Sequence, residues 1–359
     1  MNKFYPLTIR EVRPETRDAV SLCFDLPADL QDKFHYHQGQ HLILRTEVDG
    51  EEVRRSYSIC TGVGDRELRI AIKKVPGGRF STLANEGLKP GQTLEVMPPQ
   101  GHFYVELDPE REGDYLAVAA GSGITPILSI VKTTLESEPK SRVTLFYGNR
   151  STATTMFREQ LEDLKNRFMG RFNLVFLFSR EEQDIDLYNG RIDAGKCDAL
   201  FDHWVSVERL TAAFICGPQI MTETVRESLL KHGVEKDRIH YELFTPAGGA
   251  PAARQDRAET RVDPEAVSEV TVRADGRALT FDLTRDTKSI LDAGNDMGAD
   301  LPFSCKAGVC STCKAKVVEG EVEMDANYAL EDYEVEAGYV LSCQCYPVSE
   351  KVVLDFDEM

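Results

Sequence analysis

Three cysteines fall close together in the stretch CKAGVCSTC, at Cys305, Cys310 and Cys313, and a fourth, Cys343, follows in a distant segment. A C-x4-C-x2-C loop with a remote fourth thiol is the spacing of a plant-type 2Fe–2S centre. Four of the residues between the three cysteines, Ala307, Gly308, Ser311 and Thr312, are small, which lets backbone N–H groups approach the sulfur atoms. The spacing therefore predicts a 2Fe–2S cluster held by these four cysteines.

Two alternatives bear on this prediction. A zinc site usually pairs two C-x2-C or Cys/His modules, whereas this segment offers only one. The sequence LSCQC also places Cys345 two residues after Cys343, on the same face of a predicted strand. Cys343 fits the ligand spacing better, so Cys345 is expected to be a small buried residue.

The composition sets limits on the rest of the chain. The 359 residues suggest two or three domains, and no apolar run is long enough for a membrane span. Nine cysteines without a secretory signal favour reduced thiols or a metal centre in a cytoplasmic protein. The net charge of −18 disfavours nucleic acid and anionic membranes as partners.

The hydrophobic pattern changes three times along the chain and predicts a multidomain protein. Residues 1–108 read as short alternating strands separated by turns, which favours an antiparallel β-barrel. Residues 109–245 alternate buried strands with helices, which is typical of an α/β parallel sheet. Residues 246–267 are poor in large apolar side chains and predict a linker. Residues 268–359 read as a hairpin, a short helix and closing strands, an α+β pattern.

The predicted parallel sheet carries three turns suited to a nucleotide. In GSGITP, Gly121 and Gly123 precede Thr125, the expected helix N-cap, so a pyrophosphate could meet backbone amides at the helix start. The third glycine of G-x-G-x-x-G is missing, so an ordinary strand-to-helix turn is the alternative. The sequence CGP ends another strand, and Arg150 follows a third at the edge where such sheets bind ligands.

Two motifs in the predicted barrel suit a ring-and-phosphate cofactor. In RSYS, Arg55 and Tyr57 share one strand face and Ser58 points to the other. An arginine can hold a phosphate and a tyrosine offers a flat face to a ring system. GGRFSTLANEGL then supplies a glycine turn leading into a short helix. Each motif alone is compatible with ordinary packing, and their joint presence ahead of a nucleotide-type sheet favours the cofactor.

The motifs RSYS, GGRFS, GSGITP, YGNR, CGP and CKAGVCSTC…LSCQC occur in this order over nearly the whole chain. Together they resemble ferredoxin-NADP reductase-type oxidoreductases fused to a plant-type ferredoxin. Details such as EVMPPQGHF and NYALE are most similar to the reductase subunits of phenylacetyl-CoA epoxidases, although ketosteroid hydroxylase reductases share the main motifs. The resemblance implies an FAD-binding barrel, an NAD(P)H-binding α/β domain and a β-grasp ferredoxin domain.

The resemblance also implies roles for individual residues. Arg55 would hold the FAD pyrophosphate, Tyr57 would stack on the isoalloxazine, and Ser58 would hydrogen-bond near flavin N5. Arg150 would suit a 2′-phosphate, which favours NADPH over the alternative, NADH. The implied catalytic residues are Tyr57, Ser58 and Cys216, and the remaining implied cofactor contacts are Ile59, Gly78, Phe80, Ser81, Gly121, Gly123, Thr125, Gly217 and Phe244.

The implied function is electron transfer from NADPH through FAD and the 2Fe–2S cluster to a partner oxygenase, foremost the diiron phenylacetyl-CoA epoxidase. A reductase for a Rieske-type or other multicomponent oxygenase is the first alternative. A non-catalytic redox sensor, or a plain electron carrier with a structural appendage, is a different class of function. The flavin and nucleotide motifs speak against both of these.

Acidic residues are concentrated near the C-terminus. The segment 319–338 carries eight acidic residues and no basic one. A solvated acidic face is the ordinary interpretation. The alternative is a docking surface for an oxygenase with a basic surface, since complementary charge steers encounter.

Overall fold

The computed structural model describes residues 3–244, 266–285 and 287–358, and the chain forms two compact units. The larger unit contains the first two sheets, and the smaller one contains the C-terminal sheets. The predicted linker, 246–267, falls almost entirely outside the described residues. Within the described ranges, no helix has the length and apolar character needed to cross a membrane.

The N-terminal part of the larger unit is an antiparallel barrel. Ile59 pairs with Ile70 in an isolated bridge, which joins the two ends of the sheet. Closure leaves no long free edge, and alternate side chains fill the interior. The elements are β1 Tyr5–Thr16, β2 Ala19–Asp25, β3 His41–Val48, β4 Glu51–Ser58, β5 Leu68–Lys73, helix α1 Arg79–Glu86 and β6 Thr93–Gln100, with strand order β4-β3-β6-β1-β2-β5. The predicted barrel is confirmed.

The second sheet of the larger unit is parallel, as predicted. Helices cover both of its faces, so its central strands are buried on both sides and read as continuous apolar runs. The strands are β7 Asp114–Ala120, β8 Arg142–Asn149, β9 Phe172–Phe178, β10 Leu210–Gly217 and β11 Ile239–Leu243. The helices are α2 Ile124–Ser137, α3 Arg158–Arg167, α4 Ala194–Trp204 and α5 Gln219–Lys231.

The strand order of this sheet, β11-β10-β7-β8-β9, contains a switch point. From β7 the chain proceeds outward through β8 and β9, then returns to the other side of β7 with β10 and β11. The connections after β7 and β10 therefore leave in opposite directions, and a crevice opens beyond the carboxyl ends of these two strands. This crevice lies beside Gly121–Gly123 and the end of β10.

The start of α2 differs from the prediction. Gly121–Gly123 form a short 3-10 turn that runs directly into a helix beginning at Ile124, so the N-cap is Gly123 rather than Thr125. Thr125 is buried inside the first helical turn, and its hydroxyl donates to the Ser122 carbonyl at 3.0 Å. A Cβ on Gly123 would lie 2.2 Å from the Cys216 carbonyl oxygen, so the close approach of the N-cap position to β10 requires glycine there.

The smaller unit has a mixed five-stranded sheet, order β13-β12-β18-β14-β16, and a two-stranded sheet, β15-β17. Asp275 and Gly276 both have positive φ, so the predicted hairpin turns through them. Helix α6 packs on the sheet in the β-grasp arrangement that the resemblance implied. The elements are β12 Val267–Ala274, β13 Arg277–Thr284, α6 Ile290–Asp296, β14 Lys314–Glu319, β15 Val322–Met324, α7 Asp332–Glu336, β16 Tyr339–Leu341, β17 Cys345–Pro347 and β18 Lys351–Asp355.

Candidate functional site

Side chains from three distant segments meet at the crevice of the larger unit. The Ser58 hydroxyl, at the end of β4, donates to Glu242 Oε2 at 3.5 Å. Glu242 on β11 is the register partner of Cys216 on β10. The barrel and the parallel sheet thus bring a hydroxyl, a carboxyl and a thiol together, two of which, Ser58 and Cys216, the resemblance had singled out.

Cys216 is held as a neutral thiol in this group. Its side chain is fully buried at the end of β10. Burial raises its pKa well above the ordinary value, and the negative charge of Glu242 raises it further. A neutral buried thiol is a poor nucleophile. The structure therefore suits Cys216 for packing beside a ligand rather than for covalent chemistry.

His41 is a neighbour of this group that the sequence analysis did not identify. Its Nδ1 lies 3.9 Å from Glu242 Oε1, and its Nε2 is buried without a hydrogen-bond partner among the described residues. Burial, and then the nearby His102, lower the pKa of His41 to about 4. At neutral pH the imidazole is uncharged. A buried polar atom left unpaired is costly, so Nε2 is suited to meet a polar edge of a bound group.

The barrel also supplies an aromatic surface and a hydrogen-bonded glycine turn at the start of α1. The Tyr57 ring lies 5.5 Å from the buried Phe80 ring of α1, with an interplanar angle of 38°. The buried Ser81 hydroxyl accepts the Val75 N–H and donates to the Gly78 carbonyl, both at 3.2 Å. A Cβ on Gly78 would lie 2.4 Å from Ser81 Oγ, so a larger residue in this turn at the start of α1 would displace the Ser81 hydroxyl.

Three further residues that the resemblance implied as FAD contacts are Arg55, Ile59 and Phe244. Arg55 lies on β4, where its guanidinium donates to the Arg54 carbonyl at 2.7 Å. Ile59 is fully buried and takes part in barrel closure. Phe244 follows β11 and is partly exposed, two residues beyond Glu242.

Among the glycines at the strand ends of the parallel sheet, Gly121 is open enough for a ligand to approach. Gly121 has a φ of +55° and no atom within 4 Å of its Cβ position, and its carbonyl accepts the Tyr147 hydroxyl at 2.9 Å. Gly217 faces the Ala120 backbone, where a Cβ would come within 3.2 Å. Asn149 Nδ2, at the end of β8, is buried without a hydrogen-bond partner among the described residues. These features fit a nucleotide laid across the strand ends.

Two exposed arginines lie side by side at the outer part of the same edge. The Arg180 N–H donates to the Arg150 carbonyl at 2.8 Å, which places the segments after β8 and β9 together. Of these two arginines, the sequence analysis identified Arg150 and missed Arg180. The signal in the sequence for Arg180 was its position two residues after the strand FNLVFLF, close to the same sheet edge as Arg150.

The cysteine loop of the smaller unit turns its N–H groups toward the thiols. Lys306 and Gly308 have φ values of +52° and +75°. The Ala307 N–H donates to Cys305 Sγ at 3.3 Å, and the Cys305 N–H donates to Cys310 Sγ at 3.5 Å. Such donors stabilise thiolate charge, and the hydrogen bond with Cys310 lowers the pKa of Cys305 to about 7.

Cys343 and Cys345 have different surroundings. Cys343 lies in a 3-10 turn, Ser342–Gln344, and its contact with Cys313 lowers its pKa. Cys345 begins β17, is fully buried, and has a pKa raised by burial and by Cys343. The prediction that both thiols share a strand face is wrong, because the turn interrupts the strand between them.

The four thiols form two pairs, 305 with 310 and 313 with 343. The described residues contain no group of three or more Cys, His, Asp or Glu side chains suited to one metal ion. A 2Fe–2S cluster takes two thiolates on each iron, so its ligands need not surround a single point. The donor set and the N–H groups directed at it fit such a cluster.

Three family models match this chain in succession. The first is an oxidoreductase FAD-binding domain, over residues 6–104. The second is an oxidoreductase NAD-binding domain, over residues 117–227. The third is a 2Fe–2S iron-sulfur cluster binding domain, over residues 272–348. The matches follow the order barrel, parallel sheet and C-terminal sheet.

Curated relatives match this chain over nearly their whole length, and two of them come from oxygenase systems with different substrates. One subunit of the 1,2-phenylacetyl-CoA epoxidase from Escherichia coli is 47% identical, with 99% of each chain covered. The ferredoxin reductase component of 3-ketosteroid-9-alpha-monooxygenase from Rhodococcus rhodochrous is 33% identical, covering 98% of this chain and 96% of that protein. Among solved structures, phthalate dioxygenase reductase matches 98% of both chains with a TM-score of 0.59 and 25% identity.

Proposed function

Since the chain belongs to the ferredoxin-NADP reductase-type oxidoreductases that carry a C-terminal 2Fe–2S ferredoxin, we propose that it passes electrons from NADPH to an oxygenase that epoxidises phenylacetyl-CoA. The chain is an NAD(P)H-dependent reductase with FAD-binding, NAD-binding and 2Fe–2S modules. The observation that carries the choice of acceptor is the 47% identity to a subunit of a phenylacetyl-CoA epoxidase over 99% of both chains.

The proposed division of labour follows the segments of the chain. Residues 1–108 bind FAD, 109–245 bind NADPH, 246–267 link, and 268–359 hold the cluster. When bound, FAD takes up two electrons as a hydride and the cluster passes electrons on singly. The FAD contacts would be Arg55, Tyr57, Ser58, Ile59, Gly78, Phe80, Ser81 and Phe244, the nucleotide contacts Gly121, Gly123, Thr125, Arg150, Cys216 and Gly217, and the cluster ligands Cys305, Cys310, Cys313 and Cys343.

The residues of the crevice position the reacting groups. Ser58 and Glu242 place a hydroxyl and a carboxyl where the flavin edge would face the nicotinamide, and both can hold a proton at a defined oxygen. The buried side chains around Cys216 exclude water from the same point. Exclusion of water protects a hydride transfer from side reactions.

The experiment that tests the proposal is reconstitution with the oxygenase. In the presence of O2, purified reductase and the other epoxidase components should consume NADPH and phenylacetyl-CoA together. Ketosteroid with its own hydroxylase serves as the comparison, because a reductase of that system is 33% identical over nearly the whole chain. Coupled turnover only in the ketosteroid system would transfer the assignment to that class. Failure to reduce any artificial acceptor with NADPH would instead favour the redox-sensor alternative.

The preference for NADPH rests on the two arginines at the sheet edge. Arg150 and Arg180 are exposed and adjacent, and two guanidinium groups can hold a 2′-phosphate that NADH lacks. We expect Arg150→Ala to lower kcat/KM for NADPH about tenfold, or ~1.4 kcal/mol, and to leave kcat/KM for NADH unchanged. Arg142→Ala, at the opposite end of β8, is the matched control. Equal losses with both nucleotides would remove the basis for the preference.

The acidic segment 319–338 is the proposed contact region for the oxygenase. Tyr333 is 71% exposed near the start of α7, and the carboxylates of Glu331, Asp332 and Glu336 near it are exposed as well, whereas Glu334 is buried. Charge complementarity would speed encounter with a basic surface and would be screened by salt. Electron transfer to the oxygenase should slow as ionic strength rises, while reduction of the reductase at saturating NADPH should not.

A further inference from the structure

Gln344 is a buried polar residue between the two neighbouring cysteines. Only 6% of its surface is exposed, and it ends the 3-10 turn that carries Cys343. Its side-chain nitrogen lies 3.1 Å from the Lys306 carbonyl, 3.0 Å from the Cys343 carbonyl and 3.6 Å from Cys343 Sγ. Lys306 directly follows Cys305. The amide therefore connects the cysteine loop to the distant turn that holds the fourth thiol.

The side-chain carbon atoms and the backbone carbonyl of Gln344 also contact neighbouring segments. Its Cγ would contact a Cβ on Gly308 at 3.3 Å, so the side chain packs against the backbone of the cysteine loop. Its own carbonyl accepts the Asp325 N–H at 2.9 Å. Three segments of the smaller unit, around residues 306, 325 and 343, thus converge on one residue. Movement of Gln344 would displace the cysteine loop and the turn together.

A side chain used only for packing at this point would be apolar. Burying an amide is unfavourable unless its hydrogen bonds are made, and here the side-chain nitrogen makes them to the loop and to the thiol-bearing residue. Cys345, one residue later at the start of β17, is fully buried with a small apolar side chain, so burial in this region does not by itself require a polar group. The polar character of Gln344 therefore points to a role in the loop-to-turn connection.

We propose that Gln344 is a positioning residue of the cluster site, which fixes the Lys306 carbonyl against Cys343 and directs an N–H at Cys343 Sγ. The inference rests on the proposed assignment of Cys343 as a ligand. We expect Gln344 in this role to have two effects on the cluster. The first is retention of the cluster, because the loop and the fourth ligand are held in one geometry. The second is a higher reduction potential.

The effect on potential follows from charge. Reduction adds an electron to a cluster whose thiolates are already negative, and an N–H directed at a sulfur stabilises the reduced form more than the oxidised form. Thr312 provides an internal comparison. Its hydroxyl donates to Cys310 Sγ at 3.2 Å, but it lies within the loop and connects no second segment. Thr312 should therefore affect the potential alone.

The test compares Gln344→Met with Thr312→Val in the full-length protein. Methionine keeps the length of the side chain and removes the donor. We expect Gln344→Met to lower the cluster midpoint potential in a redox titration and to speed cluster loss to a chelator about 10- to 100-fold. Thr312→Val should lower the potential and leave the rate of loss as in the unmodified protein. A Gln344→Met protein equal to the unmodified one in both measurements would overturn the inference.

A second variant covers the case in which Gln344→Met accumulates no cluster. Gln344→Glu keeps the shape of the side chain and replaces the nitrogen by an acceptor, so it should also lose cluster faster and titrate at a lower potential. Normal retention and potential in this variant would contradict the inference. The ligand assignment is checked separately by Cys343→Ser and Cys345→Ser, and NADPH reduction of the flavin reports on the larger unit. Failure of the ligand assignment is thereby distinguishable from failure of the role of Gln344.

Discussion

The two redox sites of this chain are assembled by different means. The cluster site draws its thiols from one loop and one nearby turn, and backbone φ values within the loop set their directions. The crevice site draws Ser58, Cys216 and Glu242 from strands of two different sheets. The first depends on local turns, while the second depends on how the barrel packs against the parallel sheet. Damage to the first should stay local, and damage to the second should spread through the larger unit.

The largest expected effect is loss of the cluster alone. Cys343→Ser should abolish the visible and EPR signals of the cluster while FAD content and NADPH reduction of the flavin stay normal, because the change affects only the turn Ser342–Gln344. Electron delivery to the oxygenase, which depends on the cluster, should cease. Iron content and the flavin spectrum of the purified protein provide the measurement.

Cys345→Ala is the matched control for this change. Cys345 is buried with a raised pKa, so its removal should cost some packing and leave the cluster in place. Loss of the cluster in Cys345→Ala and its retention in Cys343→Ser would reverse the ligand assignment.

The next effect should spread through the larger unit. In Gly123→Ala the new Cβ would lie 2.2 Å from the Cys216 carbonyl oxygen and 2.9 Å from the Gly217 nitrogen, both of them backbone atoms. Strand β10 and the turn before α2 would have to separate, at a cost of more than about 3 kcal/mol. We expect a lower melting temperature for flavin release and weaker NADPH binding, with the cluster signal unchanged.

Gly170→Ala serves as the control, since no atom lies within 4 Å of its Cβ position. It should leave flavin release and the affinity for NADPH as they are. A Gly123→Ala protein of normal stability would show that the crevice tolerates local change after all, and the contrast between the two sites would fail.

His41 makes the stability of the larger unit sensitive to acid. Burial lowers its pKa to about 4 in the folded state, against about 6.5 when unfolded. The unfolded state therefore binds the proton first, and stability that is present above pH 6.5 is lost as the pH falls toward 4, by about 3 kcal/mol in all. His41→Gln should remove that part of the acid sensitivity. Denaturant titrations monitored by flavin release between pH 7 and pH 4 provide the measurement.

The groups that face His41 are Glu242 and His102, and both are kept in this variant. The exposed His35, changed to Gln, should leave the pH dependence as in the unmodified protein. Identical acid profiles for His41→Gln and the unmodified protein would mean that His41 is not held neutral by burial.

The same contrast explains what the sequence could predict. The cluster loop was predictable because its ligands and small residues are contiguous, so spacing alone carries the chemistry. The barrel and the parallel sheet were predictable because apolar periodicity reports burial on one or both faces. The fourth ligand was harder. Strand periodicity placed Cys343 and Cys345 on one face, and only the 3-10 turn between them separates their surroundings.

The crevice was only partly predictable. Glu242 gains its role from the β10–β11 register that puts it opposite Cys216, and His41 from the side chains around its ring. Neither relation can be predicted from the spacing of residues along the sequence. The predicted N-cap of α2 was wrong for a similar reason. The close approach of Gly123 to β10 is a tertiary contact, and the local cap preference of threonine carries no information about it.

The substitutions with the smallest expected effect test whether Ser58 and Glu242 act as one unit across the two sheets. Glu242→Gln keeps the size of the side chain and removes its charge, and we expect reduction of the flavin by NADPH in stopped flow to slow about 100-fold. Ser58→Ala should cost about as much, and the double variant little more than either, because each change removes the same 3.5 Å contact. The cluster potential should not move in any of the three. Additive losses would mean that the two residues act independently, so that the crevice, like the cysteine loop, is a set of locally held groups.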